Sequence, residues 1–358
     1  MEWQGRSEAQ VIESMLKFVA PGTPMRQGID NVLRANTGGL IVVGSPDKLK
    51  GVVDGGFAIN ASFSPANLYE LAKMDGAILL SEDASMILYA NVQLMPEPTI
   101  LSKETGMRHR TAERVAKQTN TLVIAISERR NVITLYNGGI RYALKEMGVI
   151  LTKANQAMQT LEKYKIVLDQ TLTNLGALEF EELVTLTEIV QVFHRIEMVL
   201  RIKTEILKYI TELGTEGRLI QLQLTELVAD IEEEAAFIIK DYSTDAGLSP
   251  EEMLLKMQAG VSPELTSEEQ IIKMLGYSLD SKRDEIIYPR GYRVLAKIPR
   301  LPHVIIDYLI DHFGVLNEVA NASTQELVSV NGVGDIRAKK IKDGLSRLQE
   351  QLFIDRHI

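Results

Sequence analysis

The N-terminal part of the chain, up to about residue 140, alternates short apolar runs with amphipathic stretches. Five runs rich in Val, Ile and Leu are predicted to be β-strands, at 39–43, 77–80, 87–90, 122–126 and 132–136. Helical patterns lie between them, notably at 65–74 and 111–118. Because several runs are apolar without alternation, we expect a central mixed sheet that is covered on both faces. The pattern predicts an α/β domain.

From about residue 145 to 280, helical periodicity replaces the short strands. No proline occurs between Gly148 and Tyr242. Residues at a three-to-four spacing predict that one face of a helix is apolar. Six apolar residues and a final lysine have this spacing: Leu183, Leu186, Ile189, Phe193, Ile196, Leu200 and Lys203. We therefore predict long packed helices that form a spine. The run Glu232-Glu233-Glu234 is interpreted as a solvated helix face rather than a metal site.

A third region begins near Tyr288 and has helical patterns that are interrupted by glycines. We therefore predict three domains, at 1–145, 146–285 and 286–358. The formal net charge is -9, but residues 286–358 contain ten Lys and Arg against eight Asp and Glu. If the chain contacts DNA, we expect that contact at the C-terminal end.

The composition excludes several classes of protein. There are no cysteines, which excludes disulfides and thiolate metal sites. No apolar stretch approaches the roughly 20 residues of a membrane span, and the N-terminus lacks a signal-peptide pattern. No P-loop motif occurs, and the five histidines are scattered, which argues against a zinc site. We expect a cytoplasmic protein without membrane contact.

The first candidate site is the segment Met74-Asp75-Gly76-Ala77-Ile78, directly before an apolar strand. Glycine lets the backbone approach a ligand closely. A carboxylate is a suitable ligand for Mg²⁺, which usually binds protein oxygens and substrate phosphates at the same time. Asp-Gly is also among the commonest turn pairs. Taken alone, the motif is better explained as a plain turn.

The second candidate site is Arg108-His109-Arg110, which follows Gly106 and precedes a helix with Thr111 as its predicted N-cap. The N–H groups at the start of a helix and two guanidinium groups can all donate hydrogen bonds to phosphate oxygens. The alternative is an exposed basic turn, and we favour phosphate binding.

A third candidate lies at a strand end, where Ser127 and either Arg129 or Arg130 would reach a phosphate. Solvent-facing arginines would give the same sequence, so both interpretations stay open.

At these residues the chain resembles the diadenylate cyclases. That family is marked by an Asp-Gly-Ala element and an Arg-His-Arg element, present here as Asp75-Gly76-Ala77 and Arg108-His109-Arg110. The flanking residues 68–74 and 111–114 are similar as well. The resemblance covers essentially the whole chain, because a cyclase region, a helical spine and a C-terminal module follow each other in the family's order.

The resemblance implies that two ATP molecules are condensed into cyclic di-AMP with release of two pyrophosphates, using Mg²⁺ or Mn²⁺. It assigns Asp75 to the metal and to activation of the ribose 3′-hydroxyl, and it makes Asp75, Arg108, His109 and Arg110 catalytic. The nucleotide-binding set that it implies is Gly76, Ala77, Leu94, Gly106, Met107, Arg108, His109, Arg110, Thr111 and Ser127. Some relatives have Thr at position 107, so Met107 would contribute only its backbone.

The reaction also constrains the assembly. Each hydroxyl must attack the α-phosphate of the other ATP in line. One pocket with one ATP cannot do this, whereas two pockets facing each other across a two-fold axis can. The resemblance implies a homo-octamer with cyclase domains paired face to face.

Residues 327–341 resemble a helix-hairpin-helix motif. In the hairpin Gly332-Val333-Gly334, backbone N–H groups would approach a DNA phosphate while Val333 plugs between the helices. Leu327, Ile336, Ile341 and Leu345 are predicted to form its apolar frame. The charges that would add to phosphate binding are Arg337, Lys339, Lys340 and Lys342. The alternative is an ordinary glycine-rich helical turn.

Contacts of this kind read backbone and shape rather than base sequence. The resemblance implies binding of branched DNA such as Holliday junctions, which would suppress synthesis, in a nucleoid-associated checkpoint of DNA damage and repair. An upstream hairpin at 298–302 contains two prolines without N–H groups. We expect it to be structural or to make weak contacts through Arg290, Arg293, Lys297 and Arg300.

Two other functions remain open from the residues alone. The chain could be a DNA-repair scaffold whose first region only senses nucleotide. A nuclease or ligase has less support, since no clustered acidic or lysine-centred active site occurs.

Overall fold

The computed structural model describes residues 7–129, 132–244, 247–258, 265–279 and 283–356. The chain forms two compact units. The first contains the chain up to Asn155 together with Leu207–Gln221, and the second contains Gln156–Ile206 together with the chain from Leu222 onward.

The first unit is built on one mixed sheet. Its strands are β1 (Gly39–Val43), β2 (Val53–Asp54), β3 (Phe57–Ser62), β4 (Ala77–Leu80), β5 (Met86–Leu94), β6 (Leu122–Ser127), β7 (Val132–Asn137) and β8 (Ile140–Ala143). They are ordered β2-β5-β4-β1-β6-β7-β8, and β3 also pairs with β5. Only the β1–β4 pair is parallel among the described strands.

Helices cover both faces of this sheet, as predicted. They are α1 (Glu8–Phe18), α2 (Pro24–Arg34), α3 (Pro46–Leu49), α4 (Pro65–Leu71) and α5 (Met107–Thr119). In β1, Ile41 and Val43 belong to a core shared with α1, α2 and α4, whereas Leu40 and Val42 belong to a core shared with α5. Consecutive strand residues point to opposite faces, which explains why the central strands have no polar positions.

The prediction missed β2, β3 and β8, and it placed the start of α5 too late. Strand β3 has a largely exposed pattern and lacks the apolar run that marks the central strands. Helix α5 begins at Met107 with Gly106 as its N-cap, so Thr111 lies inside the helix and the N-cap prediction is wrong. Because 107–110 contains no helix-breaking residue, the helix extends back to Gly106.

The remainder of the described chain is helical, which confirms the predicted helical spine and C-terminal region. Its elements are α6 (Met147–Glu181), α7 (Leu186–Leu213), a 3₁₀ turn (Gly214–Gly217), α8 (Arg218–Leu227), α9 (Ile231–Tyr242), α10 (Pro250–Gln258), α11 (Glu268–Met274), α12 (Tyr292–Ala296), α13 (His303–Phe313), α14 (Leu316–Asn321), α15 (Thr324–Val328) and α16 (Asp335–Asp355). Within the described ranges, no helix is both long enough and apolar enough to span a membrane.

The predicted stripe in α7 is correct except at its start. Ile189, Phe193, Ile196 and Leu200 are buried. Leu183 is 52% exposed and precedes α7. Glu182 adopts a positive φ of 58° there, which ends α6 and breaks the helical spacing.

A buried polar cluster ties α6, α9 and α12 together in the second unit. The Arg293 guanidinium is fully buried and donates to the Glu179 carboxylate. The Asp241 carboxylate accepts from the backbone N–H groups of Gly291 at 2.7 Å and Tyr292 at 2.6 Å, at the start of α12. The suggestion that Arg293 touches DNA is therefore wrong.

The acidic run on α9 is only partly solvated. Glu234 lies 2.8 Å from the Lys297 ammonium and 3.5 Å from Arg293. Although burial opposes it, these two cations lower the pKa of Glu234 below its ordinary value. Glu232 accepts from Lys203 at 2.9 Å. The run is an ion-pairing surface, so its interpretation as a plain solvated face is wrong at Glu234.

Candidate functional site

The Asp75-Gly76 turn is held against β5 by its backbone. Gly76 has a φ of +88°, and a Cβ there would lie 2.7 Å from the Val92 carbonyl oxygen. The Asn91 side-chain amide donates to the Asp75 carbonyl oxygen at 2.7 Å. Glycine is therefore required at position 76, and the turn presents the exposed Asp75 at the start of β4.

Strand register brings separate parts of the sequence to this same edge. Because β1 and β4 are parallel, Gly38, which precedes β1, lies at the edge where Asp75 precedes β4. Strand β6 runs antiparallel to β1 and pairs Ile126 with Gly39, so Ser127 at its end is also at this edge. Arg129 follows and is exposed, whereas Arg130 lies outside the described residues.

Leu94 and Ala77 have different environments. Leu94, the last residue of β5, is two positions beyond Val92, which pairs with Ala77. It is partly buried against the α5-side core, as a pocket wall would be. Ala77 is fully buried in the sheet.

Arg108 is placed by a glycine that the sequence analysis did not single out. Its Nη1 donates to the Ile126 carbonyl oxygen at 3.2 Å. A Cβ at Gly38 would lie 1.9 Å from the same Nη1. The guanidinium therefore lies across Gly38, and any larger residue there would displace it. The Gly38-Gly39 pair, in which Gly39 is the first residue of β1, is the signal that could have identified this requirement.

The start of α5 is suited to anions. The first intrahelical bond runs from the Arg110 N–H to the Gly106 carbonyl at 2.8 Å, so the preceding N–H groups lie outside the helical ladder. Gly106 makes no side-chain cap. Met107 is 79% exposed. Thr111 is half-buried one turn further along the helix.

His109 contacts residues that are distant in sequence. Its Nδ1 lies 3.1 Å from the Tyr136 hydroxyl oxygen. Tyr136 donates to Glu104 at 2.8 Å, and Arg141 pairs with the same carboxylate at 2.5 Å. Although burial opposes it, the hydrogen bonds from Arg141 and Tyr136 lower the pKa of Glu104, while burial raises that of Tyr136. Sequence reasoning missed all three partners.

The donor groups at this edge fit a metal that is shared with substrate. In the described part of the chain, no three His, Cys, Asp or Glu side chains cluster to hold an ion. Mg²⁺ keeps several waters and commonly uses one or two carboxylates plus substrate phosphates. The Asp75 carboxylate, at the same edge of the sheet as the Arg108 guanidinium, fits that requirement.

The C-terminal hairpin has the predicted backbone. Gly332 has a φ of +77°, Gly334 is the N-cap of α16, and Val333 is buried. Ala338 is fully buried. Arg337 donates to the Gly332 carbonyl, which braces the hairpin.

The apolar frame differs from the prediction at one residue. Ile336 is 79% exposed, whereas Leu327, Ile341 and Leu345 are buried. Ile336 lies two positions past the hairpin, where the first turn of α16 directs its side chain outward. The expectation that it belongs to the frame is wrong.

The basic side chains near the hairpin divide into exposed and internally bonded groups. Lys339 and Lys340 are exposed. Lys342 donates to the Ala322 carbonyl, so its predicted phosphate role is not supported. A groove of about 460 Å³ lies between the two hairpins and is lined by Arg300, Arg337, Lys340 and seven further residues.

Comparison with known proteins covers the whole chain. The family model described as DisA bacterial checkpoint controller nucleotide-binding matches residues 26–141. The model described as DisA bacterial checkpoint controller linker region matches residues 144–283.

Two relatives that match over the full chain agree with these family models. The chain is 60% identical to the DNA integrity scanning protein DisA of Bacillus pumilus and to that of Bacillus subtilis, over 100% of this chain and 99% of each relative. A solved structure of DacA from Staphylococcus aureus is 21% identical, with a TM-score of 0.28 over 38% of this chain and 90% of that one. The chain belongs to the DisA family of bacterial checkpoint controllers, and its nucleotide-binding domain is a diadenylate cyclase domain.

Proposed function

We propose that the chain condenses two ATP molecules into cyclic di-AMP and two pyrophosphates. One observation carries this proposal: a single edge of the sheet brings together Asp75, the Arg108 guanidinium, the start of α5 and Ser127. A metal-binding carboxylate beside anion-binding groups is what a triphosphate with its cation requires. Chromatographic identification of the product formed from ATP and Mg²⁺ tests this function.

In this reaction, the 3′-hydroxyl oxygen of each ATP attacks the α-phosphorus of the other and expels pyrophosphate. Asp75 would hold the cation and help activate the hydroxyl, which loses its proton as its oxygen bonds to the phosphorus. Arg108 and Arg110 donate to phosphate oxygens, and their charge stabilises the transition state. A divalent cation, Mg²⁺ or alternatively Mn²⁺, supplies further positive charge against the phosphates when it is bound.

The remaining nucleotide contacts follow from the local backbone. Gly76 lets the chain approach the nucleotide, and Leu94 forms an apolar wall. Met107 offers its backbone N–H, and Ser127 offers a hydroxyl at the end of β6. Gly106, His109 and Thr111 complete the proposed binding set. Ala77, which was predicted to belong to it, is fully buried in the core on the α5 side of the sheet, so its side chain is not available to a nucleotide.

The proposed chemistry requires two copies of the cyclase domain. Each cleft holds one ATP, so ring closure needs a second cleft that faces the first across a two-fold axis. We propose a homo-octamer assembled from such pairs, with a cyclase domain at 1–145, a spine at 146–285 and a helix-hairpin-helix domain at 286–358.

We further propose that the C-terminal hairpin binds branched DNA, such as a Holliday junction, without sequence specificity. Gly332 and Gly334 would present backbone N–H groups to a phosphate, and Arg337, Lys339 and Lys340 would add positive charge. Val333, which was predicted to share in this contact, donates its N–H to the Val330 carbonyl at 3.0 Å and is buried, so it would support the hairpin instead. Binding would suppress synthesis and place the protein at the nucleoid in a cytoplasmic checkpoint of DNA damage and repair.

Gly334→Asp is expected to weaken binding of a four-way junction by at least about tenfold. The new carboxylate would lie next to a DNA phosphate, and the two negative charges would repel each other. A Cβ at Gly334 would have no heavy atom within 4 Å, and Asp is a favourable N-cap, so the fold should tolerate the change. The measurement is a junction-binding titration at fixed salt. Gly148→Asp, which adds the same charge in open space, is the matched control. Equal binding by both variants would contradict the proposal.

A further inference from the structure

The His109 imidazole is braced by a hydrogen-bond chain drawn from four separate elements. His109 lies in the first turn of α5, Tyr136 on β7, Glu104 in the segment before α5 and Arg141 on β8. Tyr136 is 1% exposed, so its hydroxyl is held by the core. The distances along the chain are 3.1 Å from His109 to Tyr136, 2.8 Å from Tyr136 to Glu104 and 2.5 Å from Arg141 to Glu104.

The donor and acceptor of each hydrogen bond in this chain determine which nitrogen of His109 carries a proton. Glu104 is ionised beside Arg141 and can only accept. Tyr136 has one hydroxyl hydrogen, which it donates to Glu104. Its oxygen must then accept from His109, so Nδ1 carries a proton. The ring can gain or lose a proton only at Nε2.

Charge around the ring makes this brace necessary. Arg108 and Arg110 flank His109 in the same helical turn, and the Arg110 Nε donates to the Glu104 carbonyl oxygen at 3.3 Å. Arg141 adds a third cation near Glu104. These cations disfavour a charged imidazole, whereas the Glu104 carboxylate favours it through Tyr136. Without the Glu104 carboxylate, these three cations would lose the negative charge that opposes them through Tyr136.

We propose that Tyr136 and Glu104 are positioning residues for the cyclase reaction: they hold His109 with Nδ1 protonated and stabilise its imidazolium, whose Nε2–H donates to a phosphate oxygen of bound ATP. This inference assumes the proposed function, because the phosphate belongs to its substrate. It assigns a role to two residues that lie 5 and 27 positions away from His109 in the sequence.

Tyr136→Phe removes the hydroxyl and leaves the buried ring in place. A hydrogen bond to a charged group contributes about 1.5–3 kcal/mol, so kcat/KM for ATP should fall by about 10- to 100-fold. The active form is the imidazolium, so activity falls as pH rises and the ring deprotonates. Without the carboxylate's support, this alkaline limb of the pH–rate profile should move to lower pH. Glu104→Gln should move it in the same direction.

Tyr142→Phe is the matched control, because Tyr142 donates to the Glu212 carboxylate and packs against the core on the other face of the sheet. It should leave the pH profile unchanged. The double variant Tyr136→Phe/Glu104→Gln should lose little more activity than either single variant, since both break one chain. Additive losses, or a Tyr136→Phe profile identical to wild type, would overturn the inference.

A second readout does not depend on turnover. ¹⁵N shifts of the His109 ring, assigned with a His109→Gln variant, report which nitrogen carries the proton in the full-length protein without ATP. We expect protonated Nδ1, with that preference lost in Tyr136→Phe. A neutral ring protonated at Nε2 would refute the brace even if cyclic di-AMP is made. Absence of cyclic di-AMP with the expected ring state would instead refute the proposed function.

Discussion

Asp75→Asn is expected to lower the rate of cyclic di-AMP formation by about 10³-fold. The amide keeps the shape of the side chain but loses the charge that would bind the cation and help ionise the 3′-hydroxyl. Initial rates at saturating ATP and Mg²⁺, with product separated by chromatography, measure the effect. Asp75 is exposed at its turn, so the free energy of unfolding should change by less than about 0.5 kcal/mol.

Asp47→Asn provides the control for this change. Asp47 is an exposed aspartate in α3, which follows β1 and therefore lies at the opposite edge of the sheet. It should retain the full rate. If Asp75→Asn kept a tenth or more of the wild-type rate, the proposed role of this carboxylate would be wrong.

Arg293→Met is expected to lower the free energy of unfolding of the second unit by about 3–5 kcal/mol. The guanidinium is buried against Glu179, so its removal leaves a carboxylate in the interior without its cation. Urea unfolding followed by helical circular dichroism measures the loss. The double variant Glu179→Gln/Arg293→Met should recover part of it, because the stranded charge is then gone.

Lys297→Met tests the same kind of ion pair at the surface. Lys297 is 44% exposed and pairs with Glu234, so its loss should cost only about 0–1 kcal/mol. Equal destabilisation by the Arg293 and Lys297 variants would contradict the importance of the buried pair.

The elements that the sequence predicted well are those with two buried faces. Strands β1, β4 and β6 have continuous apolar runs, because residues 40–43, 77–80 and 122–126 alternate between two cores. Strand β3 is largely exposed and contains Asn60 at a φ of 47°, so it has no periodic signal. The local pattern of apolar residues shows which strands are buried. An exposed strand depends on pairing with a neighbouring strand, and the local pattern carries no information about that pairing.

The candidate site was predictable only where its chemistry is local. Asp75-Gly76 and Arg108-His109-Arg110 are contiguous motifs, and the structure brings Asp75 and Arg108 to one edge of the sheet. The partners of His109 were missed because Tyr136 is a tyrosine within an apolar strand, which is typical of a core residue. Arg293 was misjudged for a similar reason, since its partner Glu179 is 114 residues away. Long-range pairing decides whether a charge is buried.

We propose that two nucleotide clefts must cooperate to close one ring. Co-expressing wild-type and Asp75→Asn chains at varied ratios, and purifying mixed assemblies, tests it directly. Cyclic di-AMP formed per wild-type subunit should fall in proportion to the wild-type fraction, because a wild-type cleft is productive only opposite another. If the yield per wild-type subunit stays constant at every ratio, each cleft works alone and the account is contradicted.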